Sequence, residues 1–269
     1  FLTDTAKLAD LVLPATTFLE HDDLYQASGH TFLQTARALI PAPGECRSNQ
    51  VFIGQLAACL GQAHPAFALD AWALVDRVLT DSGKPGADAL HAAGWLDCAP
   101  PFEKAHFLDG FGHPDGRFRF APDWAARGER HATMPPLPDH QDVIEKADAE
   151  HPFRLVAAPA RNFLNTTFGE TPTSRRHEGR PTVLVHPAVC ARLGIADGDV
   201  VTLGNTRGAL RLHARAGSGQ LEGTLVVESQ WPNDAFIDGI GINLLVGAEP
   251  GFPGAGAAYH DTAVWLRPA

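Results

Sequence analysis

Apolar and polar positions alternate most regularly in the second half of the chain, and the alternation predicts short strands separated by turns. Arg154 to Ala158 is a largely apolar run that reads as a buried strand, and Pro159 ends it by removing a backbone donor. Val183-Leu184-Val185 is a second strand. His186-Pro187 then starts a short helix through Cys190 and Leu193, closed by Gly194. Asp197-Gly198-Asp199 turns the chain into Val200 to Leu203. Asn205 to Gly208 turns it again into Ala209 to Ala214, where Leu210 and Leu212 alternate with Arg211 and His213. Thr224 to Val227 and Ala263 to Leu266 complete the set, and so many short strands punctuated by turns predict a small closed barrel.

The first half has a different pattern. Thr3-Asp4-Thr5 caps a short helix through Ala6, Lys7 and Leu8, and Leu11-Val12-Leu13 reads as a buried strand stopped by Pro14. Thr16 to Ser28 reads as a loop, Ala27 to His30 as its closing turn and Thr31 to Leu39 as extended chain. Ser48-Asn49 opens a helix with Val51, Ile53, Leu56, Ala57 and Leu60 on its apolar face, ended by Gly61. Leu69 to Leu79 is a second helix with Trp72, Val75 and Leu79 on one side, and Ala87 to Trp95 a third. From Cys98 to Glu150 the composition shifts to Pro, Gly, His and aromatics. Gly112 to Gly116 is a turn before an alternating edge strand, Arg117 to Phe120, and Met134 to Pro138 reads as an extended linker. This shift puts a domain boundary near His151.

Charge and cysteine usage narrow the function classes. With 31 Asp and Glu against 21 Lys and Arg, a formal charge of -10 disfavours non-specific nucleic-acid or anionic-membrane binding. No apolar run approaches the ~20 residues of a membrane span, and no signal-peptide pattern is present; a cytoplasmic location is expected. Cys46, Cys59, Cys98 and Cys190 are widely spaced with no C-x-x-C pair, so buried packing thiols are expected rather than metal or iron–sulfur ligands. The acidic cluster Glu20, Asp22 and Asp23 beside His21 reads as a solvated loop, and His106, His113, His131 and His140 as locally bonded or solvated. One stretch stands apart. After the first barrel strand, Arg161, Asn162, Asn165, Thr166 and Thr167 form a loop rich in hydrogen-bond donors and poor in acids and bases, suited to a polar ligand or simply to satisfying a strand end.

Some of these residues carry a family resemblance. Ala9-Asp10-Leu11-Val12-Leu13-Pro14 followed by Glu20 resembles a signature of the molybdopterin oxidoreductases of the dimethyl sulfoxide reductase type. Val183 to Asp199 with Arg207-Gly208 resembles that family's dinucleotide-binding domain, and Gly241-Ile242-Asn243-Leu244-Leu245 a late motif in which Val246 replaces the usual Thr. The resemblance implies an α/β segment followed by an all-β-rich double-psi β-barrel domain. Residues 1–65 would finish an α/β molybdopterin domain, 66–150 would connect, and 151–269 would form the barrel. It implies bis-molybdopterin guanine dinucleotide carrying molybdenum or tungsten, gripped by Arg161, Asn162, Asn165, Thr166, Thr167 and Asn243. His260 stands where many relatives place Lys, and His30 stands in a segment that differs from them and is assigned to cofactor or substrate access. Trp231 and Phe236 either line the cofactor cavity or pack the barrel end.

The resemblance also implies what lies outside this sequence: the side-chain ligand of the metal, and in many members a [4Fe-4S] cluster held by an earlier cysteine cluster. The chain is then expected to be the C-terminal part of a two-electron or oxygen-transfer enzyme. Its partners would be the rest of that enzyme chain, a small-molecule substrate and an electron-transfer partner. Two rivals stay open at this point: a self-standing module that carries or inserts the cofactor, and a non-redox barrel used in assembly or as a proteolytic adaptor.

Overall fold

The computed structural model describes residues 1–132, 134–137, 145–164, 167–228, 231–251, 256–260 and 262–269. The chain divides into two units, Asp10–Phe118 on one hand and Phe1–Ala9 with Arg119–Ala269 on the other. The N-terminal helix α1 (Asp4–Lys7) therefore belongs with the second unit; Thr3 caps it, its hydroxyl accepting from the Ala6 amide at 3.2 Å.

The Asp10–Phe118 unit is built on a three-stranded antiparallel sheet of β1 (Asp23–Gln26), β2 (Phe32–Ala36) and, after three helices, a short β3. Those helices are α2 (Asn49–Cys59), α3 (Ala71–Asp81) and α4 (Ala87–Ala93); β3 is Leu96–Asp97, and α5 (Phe102–Ala105) follows. The helix starts are where capping chemistry puts them: Ser48 Oγ accepts from Val51 N and the Asp70 carboxylate from Ala73 N. Leu33, Val75, Leu79, Ala87 and Leu90 form the core of this unit.

Several expectations fail in this unit. Leu11, Val12 and Leu13 are 75%, 46% and 55% exposed and form no strand, because no neighbouring strand is there to take up their backbone groups. On α2 the expected apolar face is exposed at Val51, Ile53, Leu56 and Leu60, and only Ala57 is buried. Its apolar residues run around the helix instead of keeping to one stripe. Arg117 to Phe120 is not a strand; Arg117 N bonds the Asp115 carboxylate and Phe118 packs on Phe111 at 5.2 Å. Of the thiols, Cys59 is exposed and only Cys190 is buried. The acidic loop contains β1, and its acids are used locally. Asp22 accepts from the Ala38 amide and Arg37, Glu20 from Thr17 N and Asp23 from Leu24 N. Of the linker expected over Met134 to Pro138, Pro138 lies outside the described residues, as does His140.

The second unit contains a closed six-stranded β-barrel. Its elements are β4 (Phe153–Ala158), α6 (Pro172–Glu178), β5 (Thr182–Val185), α7 (Pro187–Leu193), β6 (Val200–Asn205), β7 (Gly208–Ala216) and β8 (Thr224–Glu228), then the short pair β9 (Pro250–Gly251) and β10 (Gly256–Ala257), and last β11 (Thr262–Pro268). The barrel order is β11-β4-β8-β5-β7-β6, with β6 pairing back to β11. Two pairs are parallel, β4 with β8 and β5 with β7, and the others antiparallel. Burial alternates along β4, β5, β7 and β8 as a two-residue period demands. Phe153 and Leu155 of β4, Val183 and Val185 of β5, Val201 and Leu203 of β6, Leu210 and Leu212 of β7 and Leu225 and Val227 of β8 fill the interior.

Two interlocks close the barrel ends. The turn between α7 and β6 is stapled by its own acids: Asp199 accepts from Ala196 N at 2.7 Å and Asp197 from Ala216 N at 2.8 Å. The β6–β7 turn packs directly on Leu244, so closely that a Cβ on Gly208 would lie 2.8 Å from Leu244 Cδ2. Helix α6, which has no periodic signature in the sequence, starts with Pro172 at its first turn and ends at Gly179.

Candidate cofactor-binding cleft

A cleft of about 800 Å³ opens on the barrel unit, within the range of ligand sites. Four stretches wall it: Leu2 to Leu8 around α1, Gly169 to Arg175, Trp231 to Asp234, and Gly241 to Asn243.

Each wall is held by bonds that fix its course. Arg175, on α6, donates from Nε to the Gly169 carbonyl at 2.7 Å and from Nη2 to Glu170 at 3.0 Å, folding the loop back on the helix. The Asp4 carboxylate accepts from the Asn233 amide at 2.8 Å and from Lys7 at 3.2 Å; Lys7 also reaches Asp234 at 3.4 Å. The Asn233 amide bond holds the Asp4 carboxyl below its usual range against a small opposing effect of burial, and Lys7 lowers it further. Asn233 Oδ1 in turn accepts from Gly241 N at 2.9 Å. The cleft's cations, Lys7 and Arg175, are thus each paired with acids.

Gly241 is the residue this arrangement tolerates, since a Cβ there would stand 2.4 Å from Asn233 Oδ1. Gly241→Ala is expected to break that hydrogen bond and cost about 1–3 kcal/mol through the forced shift. Urea denaturation of the purified variant measures it, and an unchanged midpoint would show that Asn233 moves aside freely.

The residues expected from the sequence distribute unevenly. Asn243 lines the cleft, exposed, and among the described residues its side-chain amide has no hydrogen-bond partner. Trp231 lines it too while meeting the buried Phe163 edge-on at 4.9 Å; Phe236 is 4% exposed and packs in the core. Asn162 is not among the lining residues: its backbone amide and its Nδ2 both donate to Glu178 Oε1, at 2.6 and 2.8 Å, which ties the loop to the end of α6. Arg161 is exposed with no partner among the described residues. Thr167 pairs through its backbone with Leu164, at 2.9 and 3.2 Å, and Asn165 and Thr166 lie outside the described residues. The following Phe168 holds a left-handed backbone, φ 63°, a conformation costly for a residue with a Cβ. His260 is exposed and outside the lining. His30 belongs to the Asp10–Phe118 unit, where its Nδ1 accepts from Phe32 N at 3.1 Å.

What the sequence did not signal is the share of α1, Glu170, Arg175, Asn233 and Asp234 in the cleft. Trp231-Pro232-Asn233-Asp234 carries a turn signal, but nothing local announces that an amide there will meet a carboxylate 229 residues away. The lining joins an aromatic face, an unengaged amide and backbone groups, with no nucleophile–base pair. It suits the binding of a heteroaromatic, hydrogen-bonding ring system such as a pterin, whose donor and acceptor edge one carboxamide can meet with both its oxygen and its nitrogen.

Comparison with known proteins bears directly on this cleft. The family model for the Molydopterin dinucleotide binding domain matches residues 153–263, and that for Molybdopterin oxidoreductase matches residues 1–58. The chain belongs to the molybdopterin oxidoreductases of the dimethyl sulfoxide reductase type. Among the relatives of this chain, the probable oxidoreductase YoaE of Bacillus subtilis is 28% identical over 87% of the chain and 34% of its own length. The catalytic polypeptide of a putative dimethyl sulfoxide reductase from Halobacterium salinarum is 26% identical over 97% of the chain and 32% of its own length. The structure of acetylene hydratase from Pelobacter acetylenicus superposes with a TM-score of 0.79 at 20% identity, over 100% of this chain and 39% of that one, a likeness of fold. The chain thus spans about a third of the length of the curated relatives it matches.

The two family matches meet in the cleft. Leu2 to Leu8 come from the oxidoreductase match, and Gly169, Arg175, Trp231, Asn233 and Asn243 from the dinucleotide-binding match. Among the described residues no group of three His, Cys, Asp or Glu side chains could hold a metal ion, and no helix is long and apolar enough to cross a membrane.

Proposed function

We propose that this molybdopterin oxidoreductase binds bis-molybdopterin guanine dinucleotide, carrying molybdenum or tungsten, and that the barrel-unit cleft receives part of it. The observation that carries the reading is the composition of the cleft: both family-matched segments contribute walls, and Asn243 presents an unengaged carboxamide between them. When bound, the cofactor supplies two-electron or oxygen-atom transfer on a small substrate.

The chain's own part is binding and orientation. Asn243 holds a ring edge by its amide, and Trp231 covers an aromatic face and keeps water from it. Arg161, exposed and unpaired among the described residues, offers its fork to a phosphate, and Thr167 and His260 offer further donors. Asn162 acts at one remove, through Glu178, by fixing the loop that carries Arg161. Asn165 and Thr166 complete that loop in this reading. The residues 1–65, 66–150 and 151–269 act as the end of an α/β domain, a connecting segment and the dinucleotide-binding barrel. The working enzyme is cytoplasmic. It joins this chain to the remaining enzyme sequence, with the metal's side-chain ligand and an iron–sulfur cluster there, and to an electron-transfer partner.

The test is expression with cofactor supply, followed by assay of pterin, metal and the released nucleotide on the purified protein. Pterin and guanosine nucleotide should copurify, and Asn243→Ala should lower the pterin retained about tenfold for the loss of a bidentate contact. Absence of pterin and metal from the wild-type protein would sink the reading, and cytidine in place of guanosine would change the dinucleotide.

A further inference from the structure

The turn that presents Asn243 is secured from a distant part of the chain. Asn233 is the intermediary: its backbone amide is held by Asp4, and its side chain holds Gly241. Neither bond is replaced by local structure. Asn233 opens a 3-10 turn, Asn233–Ala235, whose first amide has no partner within the turn, and the preceding Pro232 offers no side-chain cap. Gly241 likewise precedes the 3-10 turn Ile242–Leu245, which has no side-chain cap of its own. A carboxylate acceptor makes the first bond a strong one, since charge-assisted hydrogen bonds exceed neutral ones. Both Asp4 oxygens are engaged, Oδ2 by Asn233 and Oδ1 by Lys7.

We propose that Asp4 is a positioning residue for the cofactor cleft: its carboxylate fixes Asn233, and Asn233 fixes the Gly241–Asn243 turn. The proposal rests on the cofactor reading of that cleft. Asp4 does not touch the ring edge itself in this scheme; it sets the direction in which Asn243 points. The adjacent ion pair is not the operative part. Lys7 and Asp234 are 44% and 70% exposed, and such a pair contributes little.

Two readouts on the whole chain test this. Hydrogen exchange of the peptide containing Gly241, followed by mass spectrometry, reports the brace without any ligand. Titration with purified molybdopterin guanine dinucleotide, followed by pterin fluorescence, reports the consequence. Asp4→Ala should speed exchange at Gly241 and weaken dinucleotide binding, each about tenfold, as expected for loss of a charge-assisted bond. The barrel strands should keep wild-type exchange. Asp4→Asn retains an oxygen acceptor and should recover most of both effects. Unaltered Gly241 exchange in Asp4→Ala would overturn the brace. Faster exchange with undiminished dinucleotide binding would overturn the positioning role while leaving the cofactor reading intact. A wild-type chain that binds no dinucleotide would instead bring down the cofactor reading, and the proposal with it.

Discussion

Leu203→Ala lowers the unfolding free energy of the barrel unit by about 2–5 kcal/mol, whereas Thr202→Ala beside it changes it by no more than about 0.5 kcal/mol. The contrast comes from one-residue alternation on β6. Leu203 is completely buried among the inward side chains, opposite Leu210 on β7 and Leu266 on β11. Truncating it removes apolar area and leaves a cavity that the closed sheet cannot collapse to fill. Thr202 points the other way, between Arg211 and Arg267, half-buried and outside that core. Urea denaturation followed by circular dichroism measures both. Equal costs at the two positions would mean that the strand register is wrong by one residue.

Arg207→Ala destabilises the same unit by about 1.5–3 kcal/mol and makes it more sensitive to acid. Arg207 donates from Nε and Nη2 to the Leu245 carbonyl at 2.9 and 2.6 Å and pairs through Nη1 with Glu145. Asn205 Nδ2 adds a third donor to the same carbonyl at 2.8 Å. The β6–β7 turn is thereby locked to the end of the Ile242–Leu245 turn, one of whose residues is Asn243. Glu145 feels opposing influences. Burial pushes its carboxyl up, but bonds from Arg207 and from Ala263 N, with the nearby His151, outweigh burial and hold it below its usual value. A lowered folded-state pKa means that the carboxylate contributes stability in full above its unfolded value of about 4.3, and that this contribution fades as pH falls through the lower folded value. Without Arg207 the burial effect loses its main counterweight, so the acid limb of the stability curve moves to higher pH. Unfolding midpoints at a series of pH values from neutral down to the carboxylate range check the sign. An acid limb that stays in place would show that Arg207 does not govern Glu145.

The two cases differ in how far the sequence announces them. Leu203 sits in a run whose alternation and flanking turns mark it as a strand, and its burial follows from that pattern alone. Arg207 looks like an ordinary turn residue; its partners Leu245 and Glu145 lie 38 and 62 positions away, so only folding shows that it is an anchor. The same division runs through the cleft. Asn243 stood out by its motif, and it lines the cleft. Asn162 stood out for its chemistry, yet it is turned toward Glu178, because a loop amide takes the nearest unsatisfied carboxylate when the chain brings one alongside.

By itself the sequence determined the barrel strands, the turns between them, the capped helices and the family, because those depend on side-chain period, turn chemistry and residues close in the chain. It misjudged Leu11 to Leu13 and the face of α2, since an apolar run states a preference for burial and not whether a partner surface exists. Only the tertiary structure decided that α1 joins the barrel unit, that Asp4 meets Asn233, and that Gly241 must lack a side chain. Those contacts join residues far apart in sequence, and their geometry is set by barrel closure, which no local pattern encodes.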